Sequence, residues 1–217
     1  MLIAKIKQLP DTRVEIRLED GTRLVVSPDT WFSLGSRLEA GQPLPPALLQ
    51  TLSGETARLA CLGRAQGLLA QRGHARSELK RKLLAGGKFP RQLVDEVLVH
   101  LSERGLLDDG RMAADFGAEL RSRGLASRAI QSKLRARGVP AETVAASQPD
   151  RETLRQHDWQ ALLACARRKL PSLQKEADPR KRRDKLSRHL ASRGFPGDLI
   201  GRAVGQLLRG VDPENPD

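Results

Sequence analysis

Three times along this chain two large aliphatic residues and a glycine fall four positions apart: Leu79, Leu83 and Gly87, then Ile130, Leu134 and Gly138, then Leu186, Leu190 and Gly194. Residues four apart share one face of an α-helix, and a glycine just past a helix takes the left-handed conformation that satisfies its last carbonyls. Each set therefore reads as an amphipathic helix ended by glycine. The continuation recurs as well: Phe89-Pro90 with Val94, Val139-Pro140 with Val144, and Phe195-Pro196 with Ile200. A proline at the start of the next helix gives up no needed N–H, and the apolar residue before it can pack on the first turn as a hydrophobic staple. The glycines lie 51 and 56 residues apart. Leu and Gly at spacings of four are common singly, but six positions recurring together point to tandem repeats and not to an accidental bundle.

Each repeat also has a helix ahead of this pair, at about Thr56–Arg72, Asp108–Arg123 and Arg151–Leu170. Leu62, Ala65 and Leu69 keep helical spacing in the first, and Leu93 or Val94, Val97, Leu98 and Leu101 keep it in the helix that closes that repeat. One triplet cannot bury its apolar face alone, so stacking of the three is expected. The first 27 residues alternate with period two instead. Leu2–Leu9, then Val14, Ile16 and Leu18, then Leu24 and Val26 read as a three-stranded antiparallel meander. Ser27-Pro28 should cap a short helix whose Trp31, Phe32 and Leu34 close one face of that sheet. Gly41–Pro46 reads as a linker. The expected fold is mostly α, three tandem three-helix repeats in an elongated curved array with a small β-rich N-terminal extension. Its parts are 1–50 for the meander and short helix, 55–107, 108–149 and 150–210 for the repeats, and 211–217 for an acidic tail.

Charge narrows the function. The 38 Lys and Arg exceed the 26 Asp and Glu, for a net charge of +12, which favours polyanions or acidic protein faces as partners. The surplus is uneven: 57–107 carries 10 basic and 4 acidic groups and 151–210 carries 15 and 6, whereas 1–56 carries 6 and 7. With no Tyr, four Phe and two Trp, there is little for nucleobases to stack on, so any nucleic-acid contact should run through the backbone and be salt-sensitive. Lys5 and Lys7 interrupt the apolar start, unlike a signal peptide. No apolar run nears the roughly 20 residues a membrane span needs. The expected home is the cytoplasm, with Cys61 and Cys165 buried and unpaired.

Catalytic, cofactor and metal readings all fail on the residues. Asp108 and Asp109 suit a helix N-terminus better than an acid–base pair. Gly86-Gly87-Lys88 is followed by Phe89 where a phosphate loop needs Ser or Thr. His74, His100, His157 and His189 lack zinc-like spacing, and no serine or cysteine sits in an elbow motif. No enzyme, no cofactor and no metal are expected.

The basic residues are the candidate partner- and DNA-binding positions. Lys80, Arg81 and Lys82 lie between core positions of one second-in-repeat helix, as do Lys133, Arg135 and Arg137 around Leu134, and Lys185 and Arg188 around Leu186 and Leu190. Arg121 and Arg123 end the first helix of the middle repeat. Arg167, Arg168 and Lys169, and Arg180, Lys181, Arg182 and Arg183, flank a break at Pro171–Pro179. Any one of these is by default a solvated helix face; as a set they form a footprint for phosphates or an acidic surface.

The stretch Gly105-Leu106-Leu107-Asp108-Asp109-Gly110-Arg111-Met112-Ala113-Ala114-Asp115-Phe116 resembles the signature of RecX proteins, and Arg72-Gly73 through Leu79 and Arg193-Gly194-Phe195 resemble that family's first and last repeats. The resemblance covers about 57–209. Met112 departs from it, standing where an aromatic is common, and the break at Pro171–Pro179 is longer than the pattern. The resemblance implies a protein that binds RecA and its filament on single-stranded DNA; a monomer and weak direct DNA contact are expected beside it. It further implies inhibition of recombinase and coprotease activity, by blocked extension or promoted disassembly. The alternative is a sequence-tolerant DNA-binding module acting without RecA.

Overall fold

A computed structural model describes residues 1–34 and 38–208. The acidic tail read at 211–217 lies outside the described residues. The chain forms two compact units, one of residues 1–72 and 79–107, the other of 73–78 and the residues from 108 onward.

In the first unit β1 (Ile3–Gln8), β2 (Val14–Leu18) and β3 (Arg23–Val26) form an antiparallel sheet in that order. Val14 faces Val26 and Ile16 faces Leu24 across β2 and β3, and all four are buried, as alternation requires. Ser27 caps α1 (Pro28–Ser33) by accepting from the Thr30 N–H at 3.3 Å. Trp31 and Leu34 pack half-buried against the sheet core as expected, but Phe32 does not, being 73% exposed. The fully buried cover comes instead from what was read as linker and beyond. Leu44 and Leu52 are buried against the strands, with Leu48 and Leu49 beside them.

The Gly41–Pro46 segment is accordingly docked instead of free. Leu44 N–H donates to the Met1 carbonyl at 2.8 Å and Ile3 N–H to the Gln42 carbonyl at 2.9 Å. From it one helix, α2, runs Pro46–Gln71, ten residues longer at its start than the periodicity shows and continuous through 50–55. Proline in its first turn suits a helix start, and no breaker stronger than Gly54 follows. The Thr56 hydroxyl holds α2 to β3: its oxygen accepts the Val25 N–H at 2.9 Å, while its one proton is shared between the Leu52 carbonyl at 2.7 Å and the Val25 carbonyl at 3.1 Å. Farther along, Cys61, Ala65 and Leu68 form the buried stripe, with Leu62 and Leu69 at its flanks. They pack on Leu79 and Leu83 of α3 (Arg76–Leu84) and on Val94, Val97, Leu98 and Leu101 of α4 (Arg91–Glu103).

The second unit holds α5 (Asp109–Ser122), α6 (Ser127–Ala136) and α7 (Ala141–Ala146), then α8 (Arg151–Leu173), α9 (Pro179–Ser192) and α10 (Gly197–Leu208). The glycine–proline joints form as the spacing predicts. Val139 N–H reaches back to the Leu134 carbonyl and Phe195 N–H to that of Leu190, the long bonds of a Schellman end. Val144 and Ile200 N–H then donate to the Pro140 and Pro196 carbonyls, and each staple pair, Val139 with Val144 and Phe195 with Ile200, is buried in one core. The Pro171–Pro179 break is shorter than expected. Pro171 lies inside α8, where a proline near a C-terminus forfeits one hydrogen bond, and buried Leu173 anchors the turn after it.

The repeats are joined by a device that spacing alone does not show. Asp109, at the start of α5, accepts the Arg76 N–H at 2.7 Å, the first residue of α3. Asp158 of α8 accepts both the Ser127 N–H and its hydroxyl at 2.8 Å, the first residue of α6. In each case a carboxylate from the leading helix of one repeat caps the second helix of the repeat before it. The terminating glycines seat against the same turns. A Cβ on Gly194 would lie 2.6 Å from the Ala129 Cβ, and one on Gly138 would collide with Ser77 Oγ, which itself donates to the Gly138 carbonyl at 2.7 Å.

Candidate functional site

Four of the candidate cations converge in the second unit. Arg121 and Arg123 leave the last turn of α5, and Arg168 and Lys169 leave the outer face of α8; together they line one cavity of about 240 Å³. The end of α9 adds Arg193 and His189, and Gly124, Ala161 and Ala164 leave room between them. Among the described residues no acidic side chain lines it. Local folding explains the geometry. Leu120 is buried beside Arg121, Cys165 and Ala166 are buried beside Arg168, and Leu190 is buried beside His189, so each core anchor fixes the polar neighbour at the rim.

Arg193 is held at both ends. Its carbonyl accepts the Ala126 N–H at 3.1 Å, and its Nη1 donates to the Arg123 carbonyl at 2.7 Å. Arg123 pairs with Glu119 at 2.5 Å. The Arg121 guanidinium folds back over Gly117, where a Cβ would sit 3.7 Å from Nη1, and that buried nitrogen has no hydrogen-bond partner. Inside the pocket Cys165 Sγ lies 3.4 Å from His189 Nε2. Burial, and then the Arg193 and Lys169 charges, hold the His189 imidazole below its ordinary pKa.

The remaining candidates go elsewhere. Lys80 pairs with Asp95 at 2.5 Å, while Arg81 is exposed and Lys82 half-buried on α3. Lys133 and Arg135 are exposed on α6, whereas Arg137 stacks 3.6 Å from the Phe116 ring centre. Lys185 pairs with Glu176, Arg182 donates to the Glu176 carbonyl at 2.8 Å, and Arg188 donates to the Asp184 carbonyl at 3.3 Å. Arg167 is exposed on α8, and Arg180, Lys181 and Arg183 are exposed in the first turns of α9, where Asp178 caps the backbone. Sequence reasoning missed Arg193, His189 and Cys165 as parts of one site. A signal was present: arginine precedes the terminating glycine at Arg123-Gly124, Arg137-Gly138 and Arg193-Gly194. Asp108 does cap its own helix, accepting the Arg111 N–H at 3.0 Å, but Asp109 serves α3. Among the described residues no cluster of His, Cys, Asp or Glu could hold a metal ion, and no helix is long and apolar enough to cross a membrane.

Residues 156–204, which supply most of the pocket's α8 and α9 wall, match the family model for the third three-helix domain of RecX. A regulatory protein RecX from Prosthecochloris aestuarii is 36% identical over 154 residues, which cover 68% of this chain and 93% of that protein. The chain belongs to the RecX family. A second regulatory protein RecX, from Pseudomonas entomophila, is 35% identical over 148 residues, covering 68% of this chain and 89% of its own. At the level of fold, a crystal structure of regulatory protein RecX superposes with a TM-score of 0.68 at 18% identity, over 93% of this chain and 98% of that one. RecX from Lactobacillus salivarius superposes at 0.58 and 17% identity, over 70% and 96%. The first of these matches spans nearly the whole of this mostly helical chain, and the second spans 70% of it.

Proposed function

We propose that this RecX-family chain binds RecA and its filament on single-stranded DNA in the cytoplasm. By that contact it lowers recombinase and coprotease activity, limiting filament extension or promoting disassembly in DNA repair. The observation that carries this reading is the 36% identity across nearly the whole of a regulatory protein RecX. The electrostatics agree with it. A net charge of +12 and a lining of arginine and lysine without acids suit a partner built of nucleic acid and protein. Added to RecA on single-stranded DNA, the chain is expected to slow ATP turnover and strand exchange at sub-stoichiometric amounts. Unchanged rates at equimolar protein would end this reading.

The second reading is a sequence-tolerant DNA-binding module that acts without RecA, favoured by the cationic pocket and the helix–turn–helix joints. Binding to bare duplex as tight as to RecA-coated strands would select it.

A further inference from the structure

We propose that the pocket between the end of α5, α8 and the end of α9 is a phosphate-binding site. Arg121, Arg123, Arg168, Lys169 and Arg193 converge on one cavity; among the described residues no carboxylate lines it, and of these five cations only Arg123 has an ion pair, with Glu119. Five like charges gathered within a cavity of about 240 Å³ repel one another unless an anion sits among them. The Arg121 Nη1 is buried over Gly117 without a hydrogen-bond partner, so packing and not an acceptor holds this guanidinium at the pocket wall.

The chemistry of the lining selects the ligand class. Cations arriving from three helices surround a volume, which suits a tetrahedral oxyanion with acceptors on every side; a single carboxylate is planar and singly charged. Gly124, Ala161 and Ala164 leave open space at the walls, and among the described residues the lining holds no Phe, Trp or Tyr for a base to stack on, His189 being its one ring. The pocket therefore reads phosphate and ignores what the phosphate is attached to. That phosphate belongs either to the backbone of a single strand or to a free phosphate or pyrophosphate. The site is independent of the RecA reading: it stands if the filament assays fail, and they can succeed without it.

Calorimetric titration of the full chain with inorganic pyrophosphate, at constant ionic strength, tests the proposal. Saturable binding is expected, weakened at least tenfold in a chain carrying Arg168→Gln and Lys169→Gln, both on the outer face of α8. Competition by an oligo-dT strand assigns the phosphate to a nucleic-acid backbone; pyrophosphate binding that the strand leaves unchanged assigns it to a free anion. Either result supports the site. Ala164→Glu, which sets an acid at an exposed position of the pocket wall, should abolish binding while raising the melting temperature by relieving repulsion. Three results would overturn the site: no saturable heat, equal affinity of the variants and the parent chain, or tighter binding of a glutamate-rich peptide than of pyrophosphate.

Discussion

Gly194 shows how much one residue can carry in this fold. Its φ of +85° is the left-handed conformation that ends α9, and the space where a Cβ would stand is filled by Ala129 of α6. Gly194→Ala is therefore expected to cost about 1–3 kcal/mol in urea unfolding, from backbone strain and overpacking together. Gly201→Ala, in α10 with open space around it, should stabilise by about 0.5–1 kcal/mol. Equal effects at the two sites would remove the contact from the account. His189 makes a second residue-level case. Among the described residues every charged group sharing its pocket is a cation, Arg121 and Arg123 at the end of α5, Arg168 and Lys169 from α8, and Arg193 beyond α9, with the Cys165 thiol as its neighbour. Its folded-state pKa is lowered, so as pH falls through the ordinary value of about 6.5 the unfolded chain takes up a proton that the folded chain resists. Stability should consequently drop between about pH 6.5 and 5 by more in the parent chain than in His189→Gln, read from melting temperatures; parallel profiles would contradict the assignment.

Among the helices, the caps that cross from one repeat to the next do what intrinsic propensity cannot. α6 carries arginine and lysine in its last turn, which suits its dipole, yet its N-cap is Ala126 and supplies no side-chain acceptor. Asp158 of α8 provides one instead. Asp158→Ala is expected to destabilise the chain by about 1–2 kcal/mol in denaturant unfolding, with Asp158→Asn losing less, because an amide oxygen still accepts. Loss of no more than a surface substitution's few tenths would show the cap to be incidental. This division also marks what was legible in the sequence. Period-two alternation located all three strands, and the Leu–Leu–Gly–Pro pattern located α3, α6 and α9 with the helices that follow them. Local chemistry decides both. The start of α2 was not legible, because Ala47–Glu55 is helix-compatible but lacks a clear stripe, and the sheet that buries Leu48, Leu49 and Leu52 is remote in sequence. The pocket was half legible for the same reason. Arg121, Arg123, Arg168 and Lys169 stood out as charges, but their meeting with Arg193 depends on contacts about 70 residues apart.

For the whole molecule, charge and family membership point the same way. The excess of basic groups should make association with a nucleoprotein filament strongly salt-dependent. With about six phosphate contacts, affinity falls roughly a thousandfold between about 50 and 200 mM salt. A salt-independent affinity would exclude a phosphate-directed contact. The most direct examination of the proposal that this RecX-family chain binds a RecA filament is amine and photo-crosslinking of the chain to RecA on single-stranded DNA with the modified residues mapped. Crosslinks and protection centred on the α5–α9 cations, Lys169 foremost, are the predicted result. Crosslinks confined to Lys5 and Lys7 of the sheet, or none above the level seen with RecA absent, would contradict it.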